Sequence, residues 1–187
     1  MPANPLGLAL RNKRVGPGKL VWARPELRAP ESFTLSSPDF ADGGPLPERY
    51  DGRLRGHNTS PALRWTAPPD ATAELVLVAE DADSPFGSPN THGLAAGIDP
   101  ALGGLQVDGL TEAGAVPGIV LGKAGPHRGW FGPMPIRSHG PHRYVFQVFA
   151  VDRRLGLPAK FKLADLLGAL PGHVIARATL TSTREKP

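Results

Sequence analysis

Glycine and proline constrain this chain more than any other residue types. The 187 residues include 23 Gly and 22 Pro, about a quarter of the chain, spread along its whole length. Such frequent breaks in regular structure exclude a bundle of long helices and favour short strands joined by turns. Disorder is the alternative at this composition, but apolar residues recur throughout and the net charge is only +4. We therefore predict a folded, mainly β protein.

Two further absences in the sequence exclude classes of function. The chain has no cysteine, so disulfides, thiolate metal sites and a cysteine nucleophile are excluded. No apolar run approaches the ~18 residues of a membrane-spanning helix. The apolar stretch at the N-terminus is short, is broken by Pro5 and Gly7, and lacks the charge pattern of a secretory signal. We predict a cytoplasmic protein that has no membrane span and needs no cofactor.

Positive charge is concentrated at the start of the chain. Residues 1–30 carry six Lys and Arg side chains against one acid, Glu26, whereas the rest of the chain is almost balanced. We interpret residues 1–30 as a basic, partly flexible N-terminal extension, followed by a single domain over residues 31–187. Such an arm is either a solvated tail or a binder of nucleic acid or anionic lipid. Only Trp22 lies among these charges and no nucleic-acid motif is present, so a nucleic-acid partner is not expected.

Apolar periodicity predicts the regular elements. Continuous or alternating apolar residues predict strands over residues 20–22, 33–35, 63–65, 75–79, 92–98, 118–121, 143–151 and 173–181. One helix is predicted near residues 163–170, where Leu163, Leu166, Leu167 and Leu170 recur at helical spacing before Pro171 and Gly172. The fold is therefore a β domain with one late helix.

Two segments concentrate groups that can carry chemistry. In the first, Asp81 and Asp83 share one side of an extended chain, and Pro85 then turns it; a solvated turn is the alternative. In the second, residues 129–144, dense in Gly and Pro, contain His139 and His142. A fixed loop of this kind suits a small anion. The two histidines also allow a metal ion, with His92 or Asp81 as a third ligand, but no metal motif is present and we predict no metal site.

These segments resemble the phosphatidylethanolamine-binding protein family, which includes the Raf kinase inhibitor proteins, and in particular its bacterial branch. The residues that carry the resemblance are the opening stretch 50–65, the segment Asp81-Ala82-Asp83-Ser84-Pro85, and Gly132-Pro133 followed by Gly140-Pro141-His142-Arg143-Tyr144. The resemblance implies a β-sandwich with a large central sheet and few peripheral helices. It also implies a small pocket for phosphate, acetate or phosphoryl groups, formed by Asp81, Asp83, Pro85, His92, Gly132, His142 and Tyr144. Within it, we expect Asp81 to orient an imidazole rather than to touch the anion.

The sequence departs from the family pattern after His92. Residues 93–97 read Gly-Leu-Ala-Ala-Gly, where the family usually has Trp and bulky residues, so we expect a pocket of altered size. Trp130 and Phe131, in place of a Gly-rich stretch, are candidates to refill that space.

The sequence is compatible with three alternative functions. The first is a modulatory protein that binds a small anionic or phosphoryl ligand, and a homodimer is compatible with it. The second is an enzyme that uses His92, His142 and Asp81 in acid–base chemistry on a small metabolite. The third is a protein-interaction module like the kinase inhibitors of the family. No nucleophile motif is visible, so a binding function is expected over an enzyme.

Overall fold

A computed structural model describes residues 3–186. Among these residues, two α-helices and ten strands form the regular structure, together with short 3-10 turns. The elements are α1 (Pro5–Leu10), β1 (Leu35–Ser36), β2 (Leu63–Trp65), β3 (Glu74–Asp81), β4 (Asn90–Ile98), β5 (Gly104–Leu105), β6 (Val120–Leu121), β7 (Lys123–Ala124), β8 (His127–Arg128), β9 (His142–Val151), α2 (Leu163–Ala169) and β10 (Val174–Arg184). The prediction of a mainly β fold with a large central sheet and few helices is confirmed.

A five-stranded antiparallel sheet forms the centre of the fold. Its strand order is β10-β9-β3-β4-β6, so β3 is the middle strand. A smaller sheet of order β1-β2-β5 packs over one face, and β7 and β8 form a separate hairpin. Because β3 pairs with β4 on one side and β9 on the other, a residue of β3 has neighbours on both strands at the same level.

Both faces of the central sheet are covered, which explains the continuous apolar run of β3. Leu75, Leu77 and Ala79 face the core shared with the smaller sheet. Val76 and Val78 face a second core, which includes residues of α2. Every residue of β3 is buried as a result. Alternate side chains fill opposite cores because successive residues of a strand point to opposite faces.

The first thirty residues contribute to the second core. Val21 and Leu27 are buried in it, and the ring of Trp22 lies 6.0 Å from that of Phe149. The strand predicted over residues 20–22 is wrong, because Val21–Ala23 is a 3-10 turn. The Val21 N–H donates to the Glu80 carboxylate and the Trp22 N–H to the Gln147 side chain, at 2.8 and 2.6 Å. These donors are satisfied by side chains of the central sheet and not by a neighbouring strand. The partial flexibility of residues 1–30 stays a prediction.

The long elements lie where the sequence predicts them, whereas several short ones were not predicted. β3, β4, β9, β10 and α2 include most of the residues assigned to them by apolar periodicity. α1, β5, β7 and β8 were missed, since two-residue strands and a six-residue helix contain too little sequence to show a period. In the described part of the chain, no helix is long and apolar enough to cross a membrane.

Candidate functional site

The register of the central sheet brings polar residues together at one end of β3. Asp81, the last residue of β3, pairs with Asn90 on β4 and with Tyr144 on β9. A cavity of about 570 Å³ opens at this edge. Its sheet side includes Asp81, Asn90, Thr91, His92 and Tyr144. Its other walls include Phe86, Lys123, Phe131 and Met134. Three of the predicted site residues, Asp81, His92 and Tyr144, therefore lie in the wall of one cavity.

Asp81 holds an imidazole ring, but the ring belongs to a residue behind the cavity wall. Asp81 Oδ2 lies 2.8 Å from His142 Nδ1, and both side chains are buried. The other oxygen, Oδ1, accepts the Asp83 N–H at 2.8 Å. His142 itself does not line the cavity, although its ring is stacked on that of Tyr144 with centroids 6.4 Å apart. Asp81 thus separates His142 from the cavity.

His139 extends this pair to the N-terminal segment. Its Nδ1 lies 2.7 Å from His142 Nε2, and its Nε2 lies 2.8 Å from the Leu10 carbonyl oxygen. The sequence analysis placed His139 in a loop that suits a small anion and, as an alternative, beside His142 as a metal ligand. In residues 3–186, no group of three His, Asp or Glu side chains is arranged to hold a metal ion. The two histidines instead bond to each other.

His92 lies in the wall as a buried ring. Its Nδ1 is 2.7 Å from the Phe131 carbonyl oxygen, and its ring stacks on that of Phe131 with an interplanar angle of 2°. Burial lowers the pKa of His92, against the opposing effects of the Phe131 carbonyl and the Asp81 charge. The ring is therefore neutral near pH 7, with the proton on Nδ1 because a carbonyl only accepts. Nε2 is then an acceptor.

Tyr144 contributes a buried hydroxyl without a partner. The residue is 1% exposed and lines the cavity, and no described residue forms a hydrogen bond with its hydroxyl. Burial, together with the nearby Asp81 charge, raises the pKa of this phenol, so it stays protonated. An unpaired buried O–H costs about 1–3 kcal/mol, which an acceptor inside the cavity would recover.

The remaining predicted site residues lie beside the cavity and not in its wall. Asp83 binds Arg143 through both carboxylate oxygens, at 2.8 Å each. Burial raises the pKa of Asp83, but the hydrogen bonds from Arg143 prevail and lower it to about 2. Gly132 donates its N–H to Asn58 Oδ1 at 3.3 Å, so that donor already has an acceptor. Pro85 is half-buried on the loop after Asp83.

Several wall residues had no signal in the sequence reasoning. Lys123, Phe86 and Met134 reach the cavity from loops and from the β7–β8 hairpin, and no local pattern places them there.

Trp130 and Phe131, the two aromatic residues before Gly132, lie in different places. Trp130 is buried in the core, where its ring lies 3.4 Å from the position that a Cβ on Gly93 would take, while Phe131 lines the cavity. The space left by the small residues after His92 is thus occupied by Trp130.

Comparison with known proteins extends the resemblance across most of the chain. The sequence profile of the phosphatidylethanolamine-binding protein family matches residues 36–185. LppC of Mycobacterium tuberculosis, named as a candidate lipoprotein, is 38% identical over 157 residues, which span 84% of this chain and 74% of LppC. A UPF0098 protein of Methanothermobacter thermautotrophicus is 35% identical over 150 residues, 79% of this chain and 95% of that protein. The crystal structure of Escherichia coli YbcL, described as a member of the mammalian family, superposes with a TM-score of 0.75; its identity is 26%, over 83% of this chain and 99% of YbcL.

Proposed function

Because the chain belongs to the phosphatidylethanolamine-binding protein family, we propose that its cavity binds a small anionic ligand with a phosphoryl group. The observation that carries the proposal is the Tyr144 hydroxyl, a buried donor in the cavity wall that has no acceptor among residues 3–186. A phosphoryl oxygen is a strong acceptor and would satisfy it.

The charges and donors around the cavity support an anion. Lys123 is exposed in the wall and provides a positive charge. Asp81 is the acidic side chain of the wall, and both of its oxygens are already engaged, by His142 Nδ1 and by the Asp83 N–H. A neutral His92 accepts at Nε2, and the remaining hydroxyl of a monoprotonated phosphate or phosphate ester can donate to it. A phosphate monoester supplies this hydroxyl only as its monoanion, since its second pKa is about 6, whereas a carboxylate has no hydroxyl at neutral pH.

The apolar wall favours a ligand with a small organic group beside the phosphoryl group. Phe131 stacks beside His92, and Phe86 and Met134 are exposed at 67% and 39%. Exposed apolar side chains around a polar floor are typical of ligand sites. We therefore expect phenyl phosphate to bind more tightly than inorganic phosphate.

The first test is a titration of the full-length protein with inorganic phosphate and with phenyl phosphate. The chain has only two tyrosines, so selective labelling of their rings gives two well-resolved signals in NMR spectra. We expect the Tyr144 signal to shift with saturation while the Tyr50 signal does not. Tyr144→Phe should weaken binding about ten- to a hundredfold, since a hydrogen bond to a charged group contributes about 1.5–3 kcal/mol.

Tyr50→Phe is the matched control. Tyr50 is also a buried tyrosine, with its hydroxyl beside Arg49 and Asp39, but it does not line the cavity. Equal affinity of the two Phe variants, or no shift of the Tyr144 signal, would contradict the proposal. Phosphorus NMR of the same samples shows whether phenyl phosphate stays intact, which separates binding from hydrolysis.

We also propose that the protein is cytoplasmic and that it forms a homodimer. A cytoplasmic protein is consistent with a chain without cysteine. LppC is named as a candidate lipoprotein, so a membrane-attached protein is the competing outcome. Fractionation of cells distinguishes them, because a protein that pellets with membranes would contradict the cytoplasmic proposal. Size-exclusion chromatography tests the homodimer.

A further inference from the structure

Residues 4–16 lie outside the segment matched by the family profile, yet they contact both loops behind the cavity. On one loop, the Val15 and Gly16 N–H groups donate to the carbonyl oxygens of Ser84 and Ala82, at 3.1 and 2.8 Å. On the other, the Asn4 N–H donates to Ser138 Oγ at 3.1 Å. This segment, which we call the N-terminal strap, therefore bridges the loop after β3 and the loop before β9.

The strap also ends a buried chain of hydrogen bonds that starts in the cavity wall. The chain runs from Asp81 through His142 and His139 to the Leu10 carbonyl, with distances of 2.8, 2.7 and 2.8 Å. The His139 Nε2 also lies 3.3 Å from the Lys13 carbonyl. Asp81, His142 and His139 are 3%, 2% and 0% exposed, so water does not complete these bonds.

The number of protons on this chain follows from its acceptors. A carbonyl only accepts, so His139 Nε2 must carry a proton to bond with Leu10. The two other contacts each need one proton as well, so the complete chain holds three. An ionised aspartate and two neutral histidines hold only two. The complete chain therefore holds one additional proton, and Asp81, His142 and His139 together carry no net charge.

We propose that the N-terminal strap is a clamp coupled to the cavity, and that His139 is the positioning residue that connects them. This inference rests on the proposed anion site. When the strap is docked, the chain keeps its third proton and the Asp81 charge is offset. When the strap leaves, His139 loses its acceptor at Leu10, the third proton is released more readily, and a net negative charge remains at the cavity wall. That charge repels an anionic ligand.

The coupling is reciprocal, because linkage between two binding events has one free energy. A docked strap strengthens the binding of the anion, and a bound anion stabilises the docked strap by the same factor. Couplings of this kind are typically 5–150-fold, and we expect about tenfold here. The chain of hydrogen bonds from Asp81 to Leu10 thus links the N-terminal strap, which lies outside the family match, to the cavity, which lies inside it.

The test displaces the strap without changing any group of the hydrogen-bonded chain. Gly7, in α1, packs so closely that a Cβ would lie 1.8 Å from the Arg137 carbonyl oxygen, so Gly7→Ala should displace α1. Gly18→Ala is the matched control, since a Cβ on Gly18 meets nothing within 4 Å. With phenyl phosphate as the probe and the Tyr144 ring signal as the readout, Gly7→Ala should weaken binding about tenfold. Gly18→Ala should bind like the wild type.

Two substitutions of His139 separate positioning from simple structural support. His139→Asn keeps an oxygen near the place of Nδ1, so His142 retains an acceptor, but it does not reach Leu10. His139→Gln keeps a donor near the place of Nε2 for Leu10, but leaves His142 without its acceptor. We expect His139→Asn to bind phenyl phosphate almost as well as the wild type, and His139→Gln to bind about tenfold more weakly.

Amide hydrogen exchange of Val15 and Gly16 reports on the docked strap. Saturating phenyl phosphate should slow exchange of both amides in the wild type about tenfold, and should leave it unchanged in His139→Asn. Wild-type affinity in Gly7→Ala, or exchange in the wild type that does not respond to the ligand, would overturn the clamp. Absence of binding to the wild-type protein would instead refute the anion site itself, and the clamp with it.

Discussion

Glu80 and Asp81 are neighbours on β3 and are almost equally buried, at 2% and 3% exposure, yet they serve opposite faces of the sheet in different ways. Each lies beside a cavity, of about 560 Å³ for Glu80 and about 570 Å³ for Asp81. Glu80 Oε2 accepts from the Val21 N–H and from the Gln147 amide, both at 2.8 Å. Asp81 is paired with a histidine that can carry a proton.

The difference between the two carboxyl groups lies in their partners. The donors to Glu80 are neutral amides that keep their protons, and burial raises the pKa of Glu80. Its hydrogen bonds hold the N-terminal segment on the sheet. Asp81 instead belongs to the series of hydrogen bonds that runs through His142 and His139 to the Leu10 carbonyl. Burial and cavity size are alike on the two faces, and the chemistry of the partners decides which face suits an anion.

The largest expected effect comes from removing the charged member of the histidine chain. Asp81→Ala leaves His142 and the Asp83 N–H without their buried acceptor. Loss of one partner of a buried pair costs about 3–5 kcal/mol, and we expect a decrease of about 4 kcal/mol in the free energy of unfolding. Urea denaturation measures it. A decrease of less than about 1 kcal/mol in the free energy of unfolding would show that the hydrogen bonds of Asp81 contribute little to the fold.

A smaller effect is expected from Asp83, which anchors the loop after β3 to Arg143. Its pKa is lowered from 3.8 to about 2 in the folded protein, so its ionised form stabilises the fold above pH 3.8. This stability is lost as the pH falls through about 2. Asp83→Asn should lower the free energy of unfolding by about 2 kcal/mol at neutral pH. Urea denaturation between neutral pH and pH 2 should show a flatter acid dependence in the variant; curves of equal slope would contradict this.

The smallest expected effect is on the Glu80 face. Glu80→Gln keeps an oxygen that can accept from both Val21 and Gln147. Because the folded-state pKa of Glu80 is raised above 4.5, its contribution is full below pH 4.5 and is lost as the pH rises through the folded-state value. Gln does not ionise, so the variant should become more stable relative to the wild type as the pH rises from about 4 to about 7. Urea denaturation at both pH values measures this gain. A loss in that range would mean that the Glu80 charge stabilises the fold.

Part of the candidate site was predictable because its residues lie at strand ends. Asp81 follows the apolar run of β3 directly, and Tyr144 alternates with the apolar residues at the start of β9. Strand periodicity therefore places both at the edge of a sheet. The partner of Asp81 was predicted only as some imidazole, because three histidines near these motifs were available. The contact between Asp81 and His142 joins residues 61 positions apart, and only the sheet register selects it.

Other parts of the site had no sequence signal. The pair His139 and His142 left a metal ion open as an alternative to the predicted absence of a metal site, because two nearby imidazoles look alike in a sequence whether they bind a metal or each other. The Leu10 carbonyl that orders them is 129 residues away. A charge count described the N-terminal residues as a basic arm, whereas Val21 and Leu27 fill the second core.

Periodicity and short motifs are local properties of a chain, so they are enough to predict the mainly β fold, its longest strands and helix, and the family. Which face of β3 carries the candidate site, and which histidine Asp81 holds, emerged only from the packed protein. So did the contribution of residues 4–27 to the core and to the loops behind the site. Burial and pairing depend on groups far apart in sequence, which packing brings within hydrogen-bond distance.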